Sequence, residues 1–252
     1  MPLRIVSLAK LRIWLLLMCV GLAPSLSRRA VAASEKQEKP KPTGHQERVI
    51  QGWTVRVDDR LLLPENGAIG SRALQLLEAQ LADIASLVQK DRLAKLRTVT
   101  IVLDLTHGGL VPMQYHPSAG WLTEHGYSKD LARCVHIPDA ADFVNPRHNH
   151  QQPWCVLHEL AHSYHDQTLG FDDKQILAVY EKYRDSGHGK SVLHIDGSHH
   201  EHYALTNHKE FFAEMSESYF GMNDFFPFNQ AELKEAEPEI FQLMKSVWGP
   251  TP

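Results

Sequence analysis

The residues of this chain best suited to chemistry are His158-Glu159-Leu160-Ala161-His162, two histidines four apart with a glutamate beside the first. On a helix, positions i and i+4 share a face. Two imidazoles so placed can hold one Zn²⁺, and the glutamate can serve as general base beside it. A catalytic zinc takes three protein ligands and keeps a fourth position open, so a third His, Glu or Asp is required. Glu210 is the best candidate: it begins a new helix after a loop, and that helix can lie across the first and aim a carboxylate at the metal. Glu214, one turn further on, suits a hydrogen bond to the outer ring nitrogen of a ligand histidine. Glu210 also follows Asn207 at capping-box spacing, and the two roles compete for one carboxylate.

The stretch Tyr203-Ala204-Leu205-Thr206-Asn207-His208-Lys209-Glu210-Phe211-Phe212-Ala213-Glu214 resembles the signature Y-x-x-T-N-x-x-E-F-F-A-x. That signature is shared by the anthrax lethal factor catalytic domain and the Mlc titration factor A peptidases, zinc metallopeptidases of the gluzincin type. The resemblance spans about residues 153–248. It implies zinc held by His158, His162 and Glu210, Glu159 as base, and Tyr203 in the place of the tyrosine that assists catalysis. Those relatives tend to carry an aspartate three residues after the second motif histidine. Here that position is His165, followed by Asp166.

Composition sets the frame. With 252 residues, 43% hydrophobic and 22% charged, the chain reads as globular. A net charge of -4 gives no pull toward nucleic acid. Arg4, Lys10 and Arg12, the apolar run over residues 13–23 and Ala30-Val31-Ala32 read as an export signal over residues 1–32, with cleavage after Ser27 as the alternative. The apolar run is about half the length of a spanning helix, so no stable membrane span is expected once the signal is removed. The protein is expected to be exported, secreted or periplasmic, or tethered if the signal stays. Residues 33–47 are polar and Pro-containing and read as a disordered linker, leaving one domain over residues 48–252. Signal removal would leave Cys134 and Cys155. In an exported chain they form a disulfide or stay as two buried thiols.

These side chains need a scaffold. Trp53, Val55 and Val57 alternate as in a strand. Leu74, Leu77, Leu81, Ile84 and Leu87 mark a helix over residues 71–93 that Ser71 can cap. Residues 98–105 are β-branched and apolar, a central strand, and residues 133–137 a short one stopped by Pro138. Pro153 suits the first turn of a helix carrying the motif to about Gln167. Further helices are expected over residues 172–183, 208–219 and 237–248. The layout is that of an α+β, zincin-like fold: a small, mostly antiparallel sheet packed on the motif helix, with more helices toward the C-terminus.

In that arrangement Glu159 takes a proton from water, Tyr203 stabilises the oxyanion and Glu159 passes the proton to the leaving amine. The substrate is a peptide or protein lying extended along a sheet edge, and residues 133–137 are the nearest strand. His136 reads as structural. His148, His150, His199, His200 and His202 read as polar loop residues. Trp121, Tyr115 and His116 either line a cleft or pack. The leading reading is a zinc endopeptidase. The alternatives are a catalytically silent zincin-fold protein that binds a protein or peptide, and a zinc hydrolase of small substrates.

Overall fold

The computed structural model describes residues 38–252. The expected export signal and the first part of the expected linker lie outside the described residues. Strand β1 (His45–Ile50) runs into β2 (Trp53–Asp58) through Gln51-Gly52, both at positive φ (51° and 91°). A two-residue hairpin of this hand matches the twist of the strands it joins. Trp53, Val55 and Val57 are all fully buried. Strand β1 begins at His45, and Lys39 pairs with both Gly108 and the Asp139 carboxylate, so part of the expected linker is folded onto the domain.

Helix α1 (Gly67–Leu87) buries Leu77, Leu81 and Ile84 of the stripe read from the sequence, together with Ala73, and leaves Leu74 and Leu87 partly buried. It begins before Ser71, which therefore does not cap it, and ends where Val88 turns extended. A separate α2 (Lys90–Leu96) follows. Next come β3 (Ile101–Leu103), β4 (Gln114–Tyr115), α3 (Ala119–Glu124), β5 (Val135–Ile137), α4 (Ala140–Phe143) and α5 (Pro146–Gln151).

The five-stranded sheet has the order β1-β2-β3-β5-β4. Its outer pairs, β1/β2 and β4/β5, are antiparallel. Its inner pairs, β2/β3 and β3/β5, are parallel. The expectation of a mostly antiparallel sheet is corrected to a mixed one. The reason is connectivity: α1 and α2 form the crossover between β2 and β3, and α3 lies between β3 and β5, and such crossovers return the chain in the same direction. A second correction follows from the order. Residues 133–137 do not form an edge, because β5 lies inside the sheet and the edge beside the motif helix is β4.

Helix α6 (Cys155–Tyr164) carries the motif and starts just after Pro153, which stays outside it. A π-helical turn (His165–Leu169) follows and ends at Gly170, φ 86°. The chain continues through α7 (Lys174–Ser186), the small hairpin of β6 (Val192–Leu193) and β7 (His199–His200), α8 (His208–Phe220), α9 (Gln230–Ala236) and α10 (Pro238–Trp248). Residues 211–220 of α8 are all buried, with α6, α7, α9 and α10 packed around the helix. Trp248 is fully buried and donates its indole N–H to Ser216 Oγ at 2.9 Å. The fold is thus mixed α+β with a small sheet and a helical C-terminal part. Among the described residues no helix is long and apolar enough to cross a membrane.

Cys134 and Cys155 are both free, which overturns the possible disulfide. Side chains alternate across a strand. Val135 and Ile137 enter the main core that α6 shares, whereas Cys134 packs on the other face with Val102, Leu122 and Leu131. Cys155 lies on α6, so the sheet separates the two sulfurs. Burial pushes the Cys155 thiol up to about 12, which keeps it protonated and unreactive.

Candidate metal and catalytic site

The apolar residues of α6, Val156, Leu157, Leu160 and Ala161, are fully buried, and this fixes the direction in which the motif side chains point. The rings of His158 and His162 stand at 4.8 Å between centroids and 82°. Glu210 Oε2 lies 3.2 Å from both His158 Nε2 and His162 Nε2. Ligands about 2.0–2.1 Å from a tetrahedral zinc lie about 3.3 Å from one another. Two imidazole nitrogens and one carboxylate oxygen at this spacing fit a divalent transition ion such as zinc.

Local structure frees Glu210 for this position. Asn207 caps α8 with its own side chain, accepting from the amides of Lys209 (2.9 Å) and Glu210 (3.1 Å). The Glu210 carboxylate turns to the histidines instead of back to the cap. Burial alone would raise its pKa, but hydrogen bonds from His158 and His162 outweigh that and hold the carboxyl far below its ordinary value. For His158, burial opposes a charge, yet Glu210 and Glu217 prevail and raise its pKa well above the ordinary one.

The expected partner of the outer ring nitrogen needs correction. His158 Nδ1 lies 2.7 Å from Glu217 Oε1 and 3.4 Å from Glu214 Oε1. Glu217 is thus the main acceptor, and Glu214 is instead held by Asn223 Nδ2 at 2.9 Å. Residues 210, 214 and 217 follow the i, i+4, i+7 rhythm of one helix face, a stripe of acids that marks Glu217 in the sequence itself. Burial, with Glu217 beside it, pushes the Glu214 carboxyl well above its ordinary pKa, and burial raises that of Glu217 against the opposing effect of His158. A carboxylate fixes the ring and basicity of a ligand histidine. Glu217→Gln is therefore expected to weaken zinc binding about 10–100-fold, measured by competition with a chelator. Unchanged affinity would remove Glu217 from this role.

Glu159 points to the same place from the sheet side. Its Oε2 accepts the Tyr115 backbone N–H at 2.7 Å, which ties the edge strand β4 to the motif helix. Burial raises the Glu159 pKa against the opposing effect of His158 and His162. The Tyr115 hydroxyl donates to Asp166 Oδ2 at 2.6 Å and accepts from Gln167 Nε2 at 3.0 Å, both residues of the π-helical turn. Neither Tyr115 nor Asp166 was assigned this role by spacing, because the pairing joins a two-residue strand to a helical irregularity.

A cleft of about 370 Å³ opens over these groups, bounded by Met113 and Tyr115 on the β4 side and by Tyr203 opposite. Tyr203 is 48% exposed, and burial, then the Glu210 charge, raises its phenol pKa, so it remains a neutral donor. The other aromatic and histidine candidates divide. Tyr115 and His148 line the cleft, with His148 Nδ1 held by Asp142 at 2.8 Å, whereas His116 is buried away from it and Trp121 stacks on His125. His199 and His200 are exposed in β7. His202 is buried and caps the turn at Tyr203–Leu205, accepting from the Ala204 amide. His136 is buried among Asp104 and His107, in keeping with a structural place.

No family model, no curated protein and no solved structure matches this chain.

Proposed function

We propose that the chain is a zinc-dependent metallopeptidase of the gluzincin type on a zincin-like fold, acting as an endopeptidase. The observation that carries this reading is the convergence of His158, His162 and Glu210 at tetrahedral-edge spacing, with Glu159 held beside them at the floor of an open cleft. Zinc bound there would supply Lewis acidity toward water and toward a carbonyl oxygen.

The chain's own groups do the rest. Glu159, its pKa raised, accepts a proton from the attacking water and hands it to the leaving amine. Tyr203 donates its O–H to the oxyanion. Glu217 accepts from His158 Nδ1 and so turns Nε2 toward Glu210, where it would give its lone pair to the metal. A peptide in extended form fits along the edge strand β4, whose outer side has no partner strand among the described residues.

Cleavage of a mixed peptide library by the zinc-loaded protein tests the reading. Chelator-sensitive cleavage at internal bonds supports it. Zinc binding without cleavage of any peptide would favour a silent, peptide-binding protein. Tyr203→Phe is expected to lower kcat about 10²–10³-fold with little change in KM, as loss of an oxyanion donor does. An effect confined to KM would make Tyr203 a substrate contact only.

A further inference from the structure

A second cluster repeats the donor chemistry of the cleft on the opposite face of β5. His136 lies between Val135 and Ile137, both in the main core, so alternation turns its ring to the other side. There it meets Asp104, which follows β3, and His107 from the next turn. Asp104 Oδ2 is 2.7 Å from His107 Nδ1 and 2.8 Å from His136 Nε2. The His107 and His136 rings stand at 4.8 Å and 82°, the same values as the His158 and His162 pair. Each cluster thus offers two imidazole nitrogens and one carboxylate oxygen.

Two further contacts have the form of outer-sphere support. Asp104 Oδ1, the oxygen facing away from His107 and His136, is 2.7 Å from His45 Nε2. His136 Nδ1, the nitrogen facing away from Asp104, is 3.1 Å from His116 Nε2. Ligand carboxylates and histidines make such bonds with the atoms they do not give to the metal.

Charge points the same way. Asp104 and His136 are fully buried, and the ion-pair partners of Asp104 among the described residues are all histidines. A divalent ion among these groups would neutralise the buried carboxylate. The present separations are hydrogen-bond lengths, so an ion would spread the three ligand atoms by about 0.5 Å to a tetrahedral edge.

We propose that Asp104, His107 and His136 form a second site for a divalent transition ion of the zinc class, with His45 and His116 as its outer hydrogen-bond partners. The ion would join the ends of β3 and β5 and, through His45, fasten the N-terminal strand β1. The site lies apart from the cleft, and with three protein ligands it would leave the ion's fourth position to water.

The test is metal stoichiometry of the full chain after loading with Zn²⁺ and removal of free ion. Two equivalents per chain are expected, and a single equivalent that His162→Ala abolishes overturns the proposal. His162→Ala isolates the second site: it should retain one equivalent, lost when His107→Gln is added, with circular dichroism confirming that both variants are folded. Failure of His162→Ala to hold zinc, or retention that His107→Gln does not change, also overturns it. Since the cleft site is read from the equivalent that His162→Ala removes, the two readings can fail separately. Co²⁺ in place of Zn²⁺ in the His162→Ala background should give the visible absorption of a low-coordinate nitrogen and oxygen site, and a spectrum of hexaaqua Co²⁺ alone would count against it.

Discussion

Glu159→Gln is expected to lower kcat about 10²–10⁴-fold, the usual worth of a positioned general base, while zinc stays bound. The substitution keeps the volume of the side chain and an oxygen able to accept the Tyr115 N–H, now 2.7 Å from Oε2. It removes only the capacity to take a proton. The three proposed ligands are untouched, because His158 and His162 meet Glu210 and not Glu159. Cleavage assays paired with metal analysis separate the two properties. Turnover close to that of the unsubstituted protein would end the assignment of Glu159 as base, and loss of zinc would show that its role is to shape the metal site.

The second large effect concerns acid. His165 and His202 are buried, and burial lowers both pKa values from 6.5 to about 3. Between pH 6.5 and 3 the unfolded chain therefore binds protons that the native one refuses. The stability these two positions leave intact above pH 6.5 is lost as pH falls toward 3, at up to about 1.4 kcal/mol per unit for each group. Several kcal/mol is a large share of the roughly 5–15 kcal/mol that a domain has. Both ring nitrogens of His165 lack hydrogen-bond partners among Phe171, His208 and Phe212. His165→Leu should thus raise stability by about 1–2 kcal/mol at pH 7 and by more at pH 5. Urea unfolding at several pH values measures this. Parallel curves for the two proteins from pH 7 to pH 4 would refute it.

Much of the site was legible in the sequence because its parts lie on long, strongly patterned helices. The spacing of His158, Glu159 and His162 needs only a helix to become a face. Asn207 marked the start of α8 correctly, since an Asn cap and an apolar run leave little choice of boundary. The sheet was harder to read. Its strands β3, β4 and β5 are two or three residues long, too short for a period of two to register, and pairing direction depends on crossovers that periodicity does not report. The mistaken edge at residues 133–137 has this origin: a buried three-residue strand looks the same inside a sheet as at its border. The choice between Glu214 and Glu217 turned on helix rotation, because both carboxylates reach the His158 ring and only packing decides which is nearer. The choice between a disulfide and two free thiols stays open in the sequence for a similar reason, as parity in a strand sends Cys134 to one face while α6 covers the other.

The tether at Tyr115 has a mechanical meaning. One residue gives its amide to Glu159 and its hydroxyl to the turn that ends the motif helix, so strand and helix are fastened at two points about a side chain apart. Under the proposed function, a peptide pairing with β4 would pull on the same two-residue segment that holds Glu159 in place. Occupancy far along the groove would then be felt at Glu159, and trimming a substrate at its distant end should slow the bond-breaking step instead of merely loosening its grip.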